Sequence, residues 1–109
     1  MKLCVQERKP QVYMVVIEGE VDMSTSPELR DHLIRLFQNG TSHVIVELSE
    51  VTYIDSSGIA TLIEGLQLSR KHNIRYSLVG ARPSVEAVFE LAYLKGVFEM
   101  VPRLEDCLQ

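Results

Sequence analysis

The chain alternates short apolar runs with stretches in which apolar positions recur every third or fourth residue. Val12-Tyr13-Met14-Val15-Val16-Ile17 is rich in β-branched residues and apolar on both faces, the pattern of a strand covered on both sides. Leu3–Glu7 precedes it across Arg8-Lys9-Pro10, a spacing that predicts a hairpin. Leu29, Leu33, Leu36 and Phe37 then fall on one helical stripe. Ser26 is positioned as the capping hydroxyl of that helix and Pro27 as its first residue. Asp31 and Arg35 stand one turn apart on its other side, and Asn39-Gly40 marks its end.

His43–Leu48 reads as the next strand, and Val51–Ile54 continues extended as far as Asp55-Ser56-Ser57-Gly58. Ile59, Leu62, Ile63 and Leu66 resume the helical spacing, so a second helix runs to about Lys71. Tyr76–Val79 is a strand and Gly80–Pro83 a turn, followed by a third amphipathic helix marked by Val85, Val88, Phe89 and Ala92. Val97–Val101 is a last short strand stopped by Pro102, and Arg103–Gln109 adds a helical turn or two.

Strands alternating with helices imply crossover units and a largely parallel sheet. The expectation is an α/β fold: one domain over residues 1–109, its mixed sheet opening with the hairpin and covered by the three helices. A chain of 109 residues with 46% hydrophobic and 24% charged residues is ordinary for one globular domain. It buries roughly 60–70% of its unfolded surface, enough to need neither disulfide nor metal.

Several classes drop out. No apolar run approaches the roughly 20 residues of a membrane-spanning helix, and Met1–Arg8 lacks the apolar stretch and cleavage site of a secretory signal. Cys4 and Cys107 form no short-spaced motif and read as free thiols of a reducing compartment. A cytoplasmic protein without membrane insertion is therefore expected. Its 11 Lys and Arg against 15 Asp and Glu leave a formal charge of −4. Direct nucleic-acid binding, which depends on a clustered positive surface, is not expected.

The candidate chemistry sits at Asp55-Ser56-Ser57-Gly58, where an extended segment meets a helix. Capping alone accounts for this placement: Asp55 accepts from the amide of Ser57 or Gly58, and Gly58 permits close approach of the first turn. A second reading starts from the same geometry. A serine in the first turn projects its hydroxyl at the surface beside unpaired amides, so a phosphate is tolerated there. It would add between about −1.5 and −2 charges next to Asp55 and so repel a partner docked on this face.

The serines also resemble a hydrolase nucleophile elbow. The elbow's pair of flanking glycines is incomplete, however: Ile54 and Gly58 flank Ser56, Asp55 and Ile59 flank Ser57, and none of His32, His43 and His72 is placed near the serines as a base. The same histidines and the two cysteines have no metal-ligand spacing. Arg70-Lys71-His72 with Arg75 is a basic group at the carboxyl end of the second helix, where it complements the dipole.

Gly19-Glu20-Val21-Asp22 and the block from Val46 to Ile59, centred on Asp55-Ser56-Ser57-Gly58, resemble the signatures of the STAS domain family. The likeness is specifically to the anti-sigma factor antagonists of bacterial partner-switching systems, and it extends over nearly the whole chain. It implies a site at the start of the second helix, bound by a serine-kinase anti-sigma factor that phosphorylates one serine with its own ATP. It places the phosphoacceptor at Ser56, with Ser57 the alternative, and implies a PP2C-type phosphatase that reverses the modification. Asp22 matches a family aspartate near the acceptor, with either a presenting or a loop-capping role.

Two positions depart from the family pattern. Glu47 replaces a frequent aspartate, and Tyr93 replaces a glycine near the end of the third helix, so that helix is expected to run on toward Gly96.

The expected protein is not an enzyme and carries no cofactor or metal. Unphosphorylated, it sequesters the anti-sigma kinase; phosphorylated on Ser56, it lets go. Asp22, Asp55, Ser56, Ser57 and Gly58 make up its partner-binding face. The alternative is a constitutive STAS subunit of a membrane transport complex or signalling scaffold.

Overall fold

A computed structural model describes residues 1–37 and 40–108. Strands β1 (Lys2–Lys9) and β2 (Val12–Val21) form the opening hairpin. Helix α1 (Ser26–Leu36), strand β3 (His43–Ile54), helix α2 (Ser56–His72), strand β4 (Arg75–Val79), helix α3 (Pro83–Leu91) and strand β5 (Glu99–Val101) follow, and a 3₁₀ turn, Leu104–Asp106, lies near the carboxyl terminus. The five strands lie in sequence order, with β1 antiparallel to β2 and every later pair parallel. This is the mixed α/β sheet that the sequence implies.

All three helices cover the same face. Right-handed crossovers that always step in one direction across a sheet deliver each helix to the same side. Leu29, Leu33 and Phe37 of the α1 stripe, Ile59 and Leu62 of α2, and Val85 and Phe89 of α3 join one buried cluster with Val15, Ile17, Val44, Val46, Leu48 and Leu78. Each such side chain contributes about 1.5–3 kcal/mol by leaving water. Within the cluster, Tyr76 packs edge-on to Phe37 at 5.4 Å, and Phe98 packs edge-on to Phe89 at 5.5 Å. The second face carries a smaller cluster, Met14, Ile45 and Val79, covered by Cys107 with Leu104 and Leu108.

Several local expectations change. Ser26 lies inside α1, and the cap position belongs to Thr25, which makes no side-chain capping bond; a carboxylate upstream organises the turn instead, as described below. Asn39 lies outside the described residues; α1 ends at Leu36, and Gly40 adopts a φ of +71°. On the solvent side of α1, Arg35 Nε donates to the Asp31 backbone carbonyl at 3.2 Å. The segments His43–Leu48 and Val51–Ile54 form one twelve-residue strand. Two register shifts against β2 accompany two exposed pairs, Ser49 with Glu50 before Val51 returns to the core and Thr52 with Tyr53 before Ile54 does.

Helix α3 does not run on to Gly96. It stops at Leu91, Ala92 is exposed, and Tyr93 takes the left-handed conformation, φ +58°. Its amide donates to the Glu90 carbonyl at 3.1 Å, while the Leu94 amide donates to Phe89 at 2.8 Å. This is the two-bond helix stop that glycine usually serves; here the satisfied carbonyls outweigh the strain on a tyrosine.

Candidate functional site

The site lies at the carboxyl ends of β2 and β3. Val21 and Ile54 are register partners there, and the Asp55 amide donates to the Val21 carbonyl at 3.2 Å. The segments entering α1 and α2 are therefore neighbours, which brings Asp22 and Asp55, 33 positions apart in the sequence, to one edge.

Asp55 is the cap of α2. Its Oδ1 accepts from the amides of Ser57 at 2.9 Å and Gly58 at 3.1 Å, and from the Ser57 hydroxyl at 2.6 Å. The Ile59 amide donates to the Asp55 carbonyl at 3.0 Å. Hydrogen bonding, the Ser57 hydroxyl foremost, holds the Asp55 carboxyl below its ordinary range, against opposing contributions from desolvation and from Asp22. One expectation is corrected here. The amides of Ser57 and Gly58 beside Ser56 are not unpaired, because the Asp55 side chain already takes them.

The two serines divide the roles. Ser57 is half-buried and its hydroxyl is committed to Asp55, whereas Ser56 is exposed and its hydroxyl bonds no described residue. Gly58 is needed for contact: a Cβ there would lie 2.7 Å from Ile54 Cγ1 and 2.8 Å from Val21 Cγ1. Only a bare Cα lets the first turn of α2 seat on the two strand ends.

Asp22 organises the other lip. Its Oδ1 accepts from the Ser24 hydroxyl at 2.7 Å, the Ser24 amide at 2.9 Å and the Thr25 amide at 3.2 Å. The Thr25 hydroxyl, 3.2 Å from that oxygen, also donates to the Glu20 carbonyl at 3.0 Å. Asp22 thus shapes the loop, and these bonds, led by Ser24, keep its carboxyl low as well. At neutral pH both carboxylates are charged. Glu47, the other departure from the family pattern, folds back so that Oε1 accepts from the Ser49 amide at 2.9 Å.

The remaining candidates lie elsewhere. His32 Nδ1 sits 2.9 Å from the Glu28 carbonyl, and exposed His72 ends α2. His43 opens β3 at the opposite end of the sheet, where Nε2 lies 2.8 Å from Ser77 Oγ. Arg75 does not join Arg70, Lys71 and His72; it enters β4 and forks onto both carboxylate oxygens of Glu99. Sequence reasoning missed this cluster of His43, Ser77, Glu99 and Arg75. Its signal was polar residues within otherwise apolar strands. Among the described residues no group of three or more His, Cys, Asp or Glu could hold a metal ion, and no helix is long and apolar enough to cross a membrane.

Comparison with known proteins bears on the fold and the family. The STAS domain model matches residues 5–107. The anti-sigma-B factor antagonist of Staphylococcus epidermidis is 30% identical over 88 residues, 81% of this chain and 82% of its own. The fold is shared with an anti-sigma factor antagonist from Mycobacterium paratuberculosis (TM-score 0.85, 22% identity, covering 98% of this chain and 90% of that one). It is shared too with unphosphorylated SpoIIAA (0.84, 18%, 98% and 93%) and with Bacillus SpoIIAA in its phosphorylated form (0.78, 18%, 98% and 96%). With the family model matched over nearly its whole length and a relative 30% identical across about four-fifths of it, the chain belongs to the STAS domain family.

Proposed function

We propose that this chain is an anti-sigma factor antagonist that works as a phosphorylation switch, with Ser56 as the phosphoacceptor. The observation that carries the proposal is the division between the two serines: the Ser57 hydroxyl is spent on Asp55, while Ser56 presents a free hydroxyl at the exposed start of α2. Unphosphorylated, the chain binds and sequesters a serine-kinase anti-sigma factor, freeing a sigma factor for transcription. The kinase supplies the ATP; this chain supplies only the acceptor, so it is a substrate and regulator rather than an enzyme and needs no cofactor of its own. A PP2C-type phosphatase restores the binding form. The setting is the bacterial cytoplasm.

The switch works through charge. Because Asp55 occupies the first-turn amides, a phosphate on Ser56 finds little local compensation and stands beside two ionised carboxylates. It adds about −1.5 to −2 charges there, changing the docking face and leaving the core as it was.

Incubation with the purified kinase and ATP should add one phosphate, read by intact mass and peptide mapping, and Ser56→Ala should abolish it. Ser56→Ala should keep its circular dichroism spectrum and bind the kinase persistently, while the phosphorylated protein should bind more weakly. Equal affinities of the two forms would overturn the switch. Absence of any modification by a kinase that phosphorylates another antagonist would favour the constitutive scaffold.

A further inference from the structure

At the end of the sheet away from Ser56, residues 102–108 lie across the second face, with Leu104, Cys107 and Leu108 over Met14, Ile45 and Val79. The backbone bonds of this segment are internal: Asp106 to Arg103 at 3.0 Å and Cys107 to Leu104 at 3.1 Å. Two side chains tie it to the sheet. Arg75 Nη1 donates to the Cys107 carbonyl at 3.1 Å, and Lys9 Nζ to the Leu108 carbonyl at 2.7 Å. A segment held by a few apolar contacts and side-chain bonds, with no strand ladder, belongs to the least stable part of a fold and opens before the rest.

The Arg75 tie is aimed by a chain of partners. Glu99 fixes the guanidinium through both oxygens and also accepts from Ser77 Oγ at 3.0 Å. Since the Ser77 hydroxyl gives its one proton to Glu99, its oxygen accepts from His43, which fixes the proton of the neutral ring on Nε2. His43 and Ser77 are buried. The charged groups acting on the imidazole are Arg75, its direct register partner on β4, and Glu99 on β5; the Cys107 thiol of the overlying segment lies in the field of the same two groups. A second positive charge here would compete with Arg75 for Glu99 and stand against Arg75 itself. Burial, then Arg75, already hold the His43 pKa below its ordinary value.

We propose that residues 102–108 form a strap that lifts from the second face as a unit, and that protonation of His43 unlatches it through the Ser77–Glu99–Arg75 chain. The device is separate from Ser56 and makes the strap sensitive to mild acidification.

Cys107, 1% exposed, reports the opening. In a Cys4→Ser background, which removes the exposed thiol, Cys107 is labelled with 4,4′-dithiodipyridine from pH 7.5 to 5.5. At each pH the rate is divided by that of the urea-unfolded chain. Protection should fall below pH 6.5, by up to about tenfold per pH unit, the limit for one proton. It should be nearly independent of urea at low urea, and the pH response should be flat in His43→Gln. Arg75→Gln, at the partly exposed tie, should label fast already at pH 7.5 while keeping its circular dichroism spectrum. The wild-type measurement decides the matter even where a variant fails to fold. Protection that stays constant across the pH range would overturn the latch. Labelling with the urea slope of global unfolding would overturn the strap.

Discussion

Replacing Gly58 by alanine tests the seat of the candidate site most directly. An alanine Cβ would stand 2.7 Å from Ile54 Cγ1, 2.8 Å from Val21 Cγ1 and 3.1 Å from the Val21 carbonyl oxygen. Relaxed carbon contacts lie at about 3.5–4.0 Å, so the first turn of α2 must back away by nearly 1 Å or the strand ends must yield. Neither neighbour has room, since Val21 is fully buried and Ile54 nearly so. Overpacking of this kind costs about 1–3 kcal/mol, and the better helix propensity of alanine returns at most about 1 kcal/mol in a helix interior and less in a first turn. The expected net loss is about 1–2 kcal/mol, or roughly 5–10 °C in melting temperature for a domain of this size.

Urea unfolding followed by far-ultraviolet circular dichroism measures the loss, with two glycines as controls. Gly96 has open space around it and no left-handed backbone, so Gly96→Ala should change stability by no more than about 0.5 kcal/mol. Gly40 has open space but a φ of +71°, so Gly40→Ala should lose about 1–2 kcal/mol through strain alone. Because a 1 Å displacement of a reacting group can cost about a hundredfold in rate, folded Gly58→Ala should also be a much poorer kinase substrate. A Gly58→Ala protein as stable as its parent would refute the close-seat argument.

Other consequences follow from the same geometry. Gly65→Ala puts a Cβ 2.6 Å from the buried Tyr76 hydroxyl, which donates to the Leu62 carbonyl at 3.2 Å; it should lose about 1–2 kcal/mol in urea melts, and Tyr76→Phe in that background should restore part of it. Tyr93→Gly should stabilise by about 0.5–1.5 kcal/mol, because the left-handed position is strained for tyrosine and the side chain, 91% exposed, has little packing to lose; destabilisation would contradict this. Ser77→Ala leaves the buried His43 Nε2–H without an acceptor and should cost about 1–3 kcal/mol at pH 7.5. The Glu99 carboxyl is held low chiefly by its bonds from Arg75. Its stabilisation is therefore complete above the unfolded carboxyl pKa and lost as pH falls through the folded value; Glu99→Gln should flatten the acid limb of a melting-temperature profile below about pH 4.5.

The elements whose signals are local were legible in the sequence. The doubly apolar β2, the helical stripes and the Asp55 cap each depend on residues within one turn or one strand. What escaped depends on choices between neighbours or on topology. Ser26-Pro27 looks like a helix start, but Asp22, four residues before Ser26, reaches the turn amides first and moves the boundary to Thr25. Tyr93 looks like a residue that prolongs a helix. The carbonyls of Phe89 and Glu90 find partners only if the chain turns there, and that requirement sets the stop. Arg75 follows a run of basic residues in the sequence but is carried to the sheet by the left-handed turn at Asn73, φ +56°. The cluster of His43, Ser77 and Glu99 comes together only when three parallel strands align their entering ends.

Both polar constellations lie at strand ends, and the parallel sheet explains why they differ. Where strands leave the sheet and helices begin, side chains are exposed and can meet a partner; there Asp55 and Asp22 spend their oxygens on backbone amides, leaving the Ser56 hydroxyl outside the network. Where strands enter, the carboxyl-terminal segment folds over the face, and the polar groups are satisfied mainly by one another and by Cys107. Loss of a partner is costly in the buried cluster, because a desolvated donor is left unmatched. A change of charge at Ser56 is cheap for the fold, because no intramolecular bond depends on that hydroxyl. The proposed modification of Ser56 and its reversal need that indifference. The same sheet can therefore hold a rigid buried cluster at one level and an exposed, structurally uncommitted hydroxyl at another, and substitutions at Ser56 should shift partner affinity while urea midpoints stay where they were.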